Sequence, residues 1–493
     1  MYNGGGRRAS SCLPGTRVEI IELLMGWVDG NDDRPICWLN GPAGFGKSSI
    51  ARTIAERCAG EQKLAASFFF LRGAGDRSNI ARFIRTLAYH ISVSIPATQP
   101  FLEDVLRHDP LVLNQALEDQ FQKLLLAPIS ALAVPVPSMT IIVDALDECD
   151  DGELAASFVE IIALAASDHQ LPFKFLFTSR IEERIRAKFE SDEASSVVFP
   201  LSLKNFDASA DIRTYYGSRF LRVYKDNLPV MSVTRPWPSH SDLDKLIKMT
   251  SGSFIFANTV VNFVDDGTMP PNEKLAEALR GCVGLDELYS KILSRTRGNT
   301  RIKRVIGTVM VLRKPLSMVH LASLLHLDKA AVRHALMSIQ SILIVPASDE
   351  EDIQLVHTSL RDFLVSKERS QMFYIDPPAQ HFSITIDCLW VMAASSSKFF
   401  LDGYGELYSS SNWCYHFNSG LQEKGSDSIL DWQLLMKCLT KFASQSFALW
   451  VNTTLHYDRR ELYKQFKDIT KQLKVSLKVY IIIDQLLTFT VCH

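Results

Sequence analysis

At 493 residues the chain is too long for a single hydrophobic core, and two to four domains are expected. Its 47% apolar and 22% charged residues exclude extensive disorder, and a formal net charge of −2 gives no global attraction to nucleic acid or anionic membrane. Nine scattered cysteines without a C-x-x-C pair argue against a disulfide framework or zinc site, and with no signal-peptide core and no apolar run near the ~18 residues of a spanning helix, a cytoplasmic protein is expected.

The first informative element is an apolar strand at 36–40, followed by Gly41-Pro42-Ala43-Gly44-Phe45-Gly46-Lys47-Ser48 and a helix at 49–57 that opens with Ser49. The run fits G-x-x-x-x-G-K-[ST], the loop that wraps the phosphates of a nucleoside triphosphate. Gly41, Gly44 and Gly46 let backbone N–H groups turn inward around an anion. Lys47 is expected on the β/γ phosphates and the Ser48 hydroxyl on Mg²⁺, with the helix N-terminus adding positive charge.

Further near-continuous apolar runs at 65–71, 139–146, 173–178 and 196–203 suit strands buried on both faces. Helical stretches at 80–93 and 119–132 separate the first two. With the strand at 36–40 this makes a five-stranded, parallel α/β sheet. Ligands of such sheets bind outside the strand carboxyl ends.

The next motifs fall there. Thr140-Ile141-Ile142-Val143-Asp144 is an apolar strand ending in Asp, the Walker B pattern, with Asp144 as a Mg²⁺ ligand. Glu148 is the candidate to orient or deprotonate the attacking water, and Asp147 either shares the metal or belongs with Glu148, Asp150 and Asp151 to a solvated acidic turn. The strand Phe175-Leu176-Phe177-Thr178-Ser179 ends at Arg180, which either meets γ-phosphate charge or pairs with Glu182 or Glu183.

These motifs, in this order, resemble the NACHT branch of the STAND signalling ATPases, and among them the fungal NLR-like proteins. Cys12-Leu13-Pro14-Gly15-Thr16-Arg17, then a helix ending near Trp27, is similar to the segment those proteins carry before the loop. Ser67-Phe68-Phe69-Phe70-Leu71-Arg72 and Thr86-Leu87-Ala88-Tyr89 are similar to the family's second strand and its helix. The resemblance covers roughly residues 10–375. It implies a P-loop NTPase three-layer sandwich with strand order 5-1-4-3-2, ATP or ADP as the nucleotide, and slow hydrolysis that controls assembly. The alternative is a nucleotide-stabilised interaction scaffold without significant hydrolysis.

Domains are expected at 1–30 (linker and helix), 31–205 (the NACHT NTPase), 206–295 (helical), 296–375 (winged helix) and 376–493 (α-helical, role unassigned). In the helical domain the family often places a proline against the adenine; here Gly252-Ser253-Phe254 stands instead, and Phe254 either covers the base or is core. Helices near 321–325 and 330–338, then short strands at 342–345 and 353–356, suit a winged helix. His357 resembles the winged-helix histidine that touches the β-phosphate of ADP; its other reading is a capping residue at a strand-to-helix turn.

The basic residues Arg295, Arg297, Arg301, Lys303 and Arg304 read as a solvated helix face, so nucleic acid is not an expected partner. Self-association or contact with other signalling proteins is what the resemblance implies. Past 376, serine-bearing stretches at 395–397, 409–411 and 413–427 suggest turns between helices. A basic amphipathic helix at 461–478 reads as a surface element, or as a membrane or calmodulin-type target. No sensor repeat is visible, which leaves a shortened form, a fragment, or a regulator working with partners in trans.

Overall fold

The computed structural model describes residues 11–134, 138–168, 171–231, 233–280, 284–294, 296, 300–337, 339–394, 404–422 and 432–445. The basic helix at 461–478, the serines at 395–397, and Arg295 and Arg297 lie outside the described residues. The chain divides into two compact units, Met1–Leu288 and Tyr289–His493.

The first unit is organised by five parallel strands: β1 (Ile36–Asn40), β2 (Leu64–Phe69), β3 (Met139–Asp144), β4 (Phe173–Ser179) and β5 (Val198–Ser202). Their order across the sheet is β2-β3-β4-β1-β5, the expected 5-1-4-3-2 read from the other edge. Alternation along each strand divides the core in two. Ile36, Trp38, Ile141, Val143, Phe175 and Phe177 join one hydrophobic cluster with Phe83, Leu87 and Phe158. Cys37, Leu39, Ile142 and Leu176 join the other with Ile20, Leu24, Ile50 and Ile54. Both faces are therefore covered by helices, which is why the strands read as continuous apolar runs rather than alternating ones.

One face carries α1 (Val18–Val28) and α2 (Lys47–Gly60), whose buried Ile50, Ala51, Ile54, Ala55 and Cys58 recur at helical spacing. The other carries α3 (Ile80–Ser94) and the helix Gly152–Ser167, capped where the Leu154 amide donates to Asp151 Oδ1 at 3.0 Å. The stretch expected as one helix at 119–132 is broken by a wider π turn, Gln122–Leu126. Pro128 lacks the N–H that a regular helix would need there. Helices Ser209–Asp226, His240–Thr250, Phe254–Val264 and Pro271–Leu279 complete the unit.

In the second unit, helices Thr300–Val311, Met318–Leu324 and Lys329–Met337 precede an antiparallel pair of two-residue strands, Leu343–Ile344 and Gln354–Leu355. Helices Pro377–Ala394, Tyr404–Gln422 and Trp432–Gln445 follow. Two expectations are corrected here. The serines at 409–411 and the stretch from Trp413 to Gln422 lie inside one helix, not in turns. Ser409, Ser410 and Asn412 are buried in it; Asn412 donates back to the Tyr408 carbonyl at 2.9 Å, and Ser409 hydrogen-bonds Cys388 of the helix Pro377–Ala394. Arg304 is not on a purely solvated face: it pairs with the buried Asp387 at 2.7 Å. No helix among the described residues is long and apolar enough to cross a membrane.

Candidate nucleotide-binding site

The loop between β1 and α2 bends through Gly44 and Gly46, both at left-handed φ of +79° and +91°. Gly46 sits immediately before α2, so the helix begins at Lys47 and its free N–H groups face the loop's hollow. Lys47 folds back over that hollow, its Nζ donating to the carbonyls of Gly41 at 2.7 Å and Pro42 at 2.9 Å. Burial pulls its ammonium below the usual lysine value, while Asp147, Asp144 and Glu148 oppose that pull. Ala43 is half-buried; the Phe45 ring lies against Gly252, and the Ser49 carbonyl accepts from Thr53 at 2.9 Å.

At the ends of β3 and β4 the polar groups interlock. Asp144 is 3% exposed and hydrogen-bonded by Ser48 and by Thr178 Oγ1, the latter at 2.5 Å. Thr178 Oγ1 in turn accepts the Ala145 amide at 3.0 Å, tying β4 to the turn that leaves β3. Desolvation raises the Asp144 carboxyl above its ordinary range, against the hydrogen bonds that lower it. Ala145 adopts φ +56°, a strained conformation for a residue with a Cβ, costing of order 1 kcal/mol.

The turn then presents Asp147 and Glu148. Asp147 is buried and takes the Arg180 amide at 3.0 Å and Arg180 Nε at 3.2 Å. Arg180 therefore has an acidic partner that its neighbours in sequence do not announce, while Glu183 pairs with Arg186 at 2.8 Å. Asp147 is thus not a solvated turn residue. Glu148 Oε2 accepts the backbone amide of Arg72 at 3.2 Å. Lys47, Ser48, Asp144, Asp147, Glu148 and Arg180 are linked at one rim, at the carboxyl ends of the strands.

Sequence reasoning assigned no role to three residues that complete this neighbourhood. Thr178 stood in the quoted strand, and a hydroxyl among buried phenylalanines was the available signal. Arg72 follows β2 and gives its guanidinium to the Asp147 carbonyl at 2.7 Å. Arg17, 4% exposed and at φ +56°, donates to the Phe45 carbonyl at 2.9 Å and lies over the Phe254 ring at 4.9 Å. Phe254 also meets Tyr215 edge-on at 6.1 Å and is neither fully buried nor exposed. The helix it opens is capped by Ser253 and donates its Ile255 amide to the Gly44 carbonyl at 3.2 Å.

His357 belongs to the second unit. Its Nδ1 accepts the Ser359 amide at 3.0 Å and lies 2.8 Å from Ser359 Oγ, which meets Tyr289 Oη at 3.0 Å. The imidazole thus caps the turn into the helix Ser359–Leu364.

Sheet order, loop and rim together define a P-loop NTPase fold. In agreement, the family model described as Nephrocystin 3, N-terminal, matches residues 22–180. The chain is also similar to the crystal structure of Cdc6p from Pyrobaculum aerophilum, at 12% identity and TM-score 0.33, over 74% of this chain and 97% of that one. The structure of Drosophila ORC bound to AT-rich DNA and Cdc6 gives 11% identity and TM-score 0.25, over 92% of this chain and 69% of that one. Curated protein sequences yield no match.

Proposed function

We propose that the chain is a nucleotide-driven conformational switch of the NACHT/STAND type, binding ATP and ADP with Mg²⁺ and hydrolysing ATP slowly. What carries the reading is one convergence: the loop cation, a hydroxyl, three acidic residues and an arginine, drawn from α2, β3's turn and β4, meet at a single rim. The residues suit a small, hard cation, since Ser48 and Asp144 offer oxygen donors already in contact with each other. Bound there, Mg²⁺ would neutralise charge on the β- and γ-phosphates.

The chain's own groups supply the rest of the reading. Loop amides and Lys47 hold the phosphates, Glu148 orients the attacking water, and Arg180 offers its charge to the γ-phosphate. Helices at 206–295 and a winged helix at 296–375 form the moving parts, with His357 answering to ADP. Self-association, in signalling of the innate-immunity or cell-death kind, is the output this reading assigns.

Mass spectrometry of nucleotide released from the denatured full-length protein should find adenosine di- or triphosphate. Phosphate release should be Mg²⁺-dependent and fall about 100-fold in Glu148→Gln with nucleotide affinity kept. Equal phosphate release by both proteins would replace the switch with a scaffold that merely binds nucleotide. His357→Ala should speed ADP dissociation; an unchanged rate removes His357 from the reading and leaves it the capping role.

A further inference from the structure

The turn that carries Glu148 is gripped from a direction the motif pattern does not name. Arg72 stands just beyond the end of β2, beside the turn from β3. Its backbone amide reaches Glu148 Oε2 at 3.2 Å, and its guanidinium Nη2 reaches the Asp147 carbonyl at 2.7 Å. The same loop makes a second purchase farther along. Asp150 donates its amide to the Ser78 carbonyl at 2.9 Å, and Ser78 Oγ donates to Asp150 Oδ2 at 2.6 Å. The Phe70 amide, just before, donates to the Asp144 carbonyl at 3.0 Å.

The stretch from Asp144 to Asp150 is therefore laced to residues 70–78 at each end and at its middle. Such lacing is what a strained left-handed Ala145 requires, because that conformation persists only where its surroundings over-determine it. Of the two bonds described at the middle, the one that depends on a side chain from the β2–α3 loop is made by the Arg72 guanidinium.

We infer that Arg72 is a positioning residue for hydrolysis, holding the Asp147–Glu148 turn so that the Glu148 carboxylate faces the attacking water. This rests on the reading of Glu148 given above. Both Arg72 bonds given above go to the turn, so its loss should act on turnover rather than on binding. A misplaced base costs rate steeply because catalysis depends on sub-ångström placement. A lysine reaches the same carbonyl with one ammonium but without the fork of the guanidinium, so Arg72→Lys restores part of the effect.

The test compares wild type, Arg72→Ala and Arg72→Lys as full-length proteins. Arg72→Ala should lower kcat about tenfold or more, keep the Mg-ATP Kd within about twofold, and raise amide hydrogen exchange across 145–150. Arg72→Lys should lie between. A wild-type kcat in Arg72→Ala, or an affinity loss that matches the rate loss, overturns the assignment. If wild type itself releases no phosphate, the hydrolysis reading falls. Hydrogen exchange then still decides Arg72: unchanged protection at 145–150 removes it as the holder of the turn.

Discussion

The rim of the sheet and the interior of the second unit both bury ionisable side chains, and they solve the problem in opposite ways. At the rim, Lys47, Asp147 and Arg180 sit among opposite charges, and Asp147 keeps a cation within 3.2 Å. In the second unit a neutral chain runs from the Arg313 amide to Tyr408 Oη at 3.1 Å, on to His416 Nε2 at 2.8 Å, and from His416 Nδ1 to His381 Nδ1 at 2.8 Å. The chain is consistent when Tyr408 donates to His416 Nε2 and His416 Nδ1–H donates to His381 Nδ1. Burial drives His416 well below the ordinary histidine value and His381 down to about 4, which keeps both uncharged. Charges retained at a strand end and charges suppressed in a helical interior are different signatures: the first suits the proposed chemistry, the second architecture.

That contrast is open to direct attack. The largest effect is expected at the rim: Lys47→Ala should weaken nucleotide binding about a thousandfold, near 4 kcal/mol, with little change in the denaturant midpoint. Calorimetry showing wild-type affinity would break the assignment of the rim to nucleotide. Next, His416→Ala strands Tyr408 and His381 in a dry interior and should cost about 3 kcal/mol of stability. Nucleotide affinity should stay put in that variant; a parallel loss of binding would mean that the two regions are not separable.

The smallest effect is a response to acid. The folded His381 titrates near 4 against an ordinary 6.5, so its contribution is present above 6.5 and is lost as pH falls through that window. His416 acts with the same sign. Asp387 opposes them: burial lifts it to about 6 from 3.8, so its contribution is present at low pH and is lost as pH rises through 6. The two histidines titrate against the one carboxyl, so a net loss of stability is expected between pH 7 and pH 5, measurable as a lower urea midpoint. Asp387→Asn removes the opposing group and should steepen the loss. A midpoint that rises on acidification would show that the carboxyl, not the histidine pair, dominates.

The sheet was legible because its strands are buried on both faces, and double burial writes a continuous apolar run that needs no partner to be recognised. The loop was legible for a similar reason: its chemistry is confined to eight consecutive residues. Legibility failed where the determinant is far away in sequence. Arg180 has Glu182 and Glu183 beside it in sequence, and yet it meets Asp147, 33 residues back. Arg72 meets residues 75 and 76 positions away, and no local spacing announces such a pair. Composition misleads at 409–422, where serine and asparagine signal turns in a solvated chain but here lie in a helix, Asn412 bonding its own backbone and Ser409 a neighbouring helix.

Gly44 is a glycine that the motif does not demand, since only Gly41 and Gly46 occupy the pattern's fixed glycine positions. A Cβ at Gly44 would stand 2.0 Å from Ile255 Cγ2, inside the first turn of Phe254–Val264. The clearance between loop and helix is thus smaller than a methyl group. Whatever lifts the loop at that point must displace the helix with it, which makes residue 44 less a hinge for phosphate than the tooth by which the loop engages its neighbour.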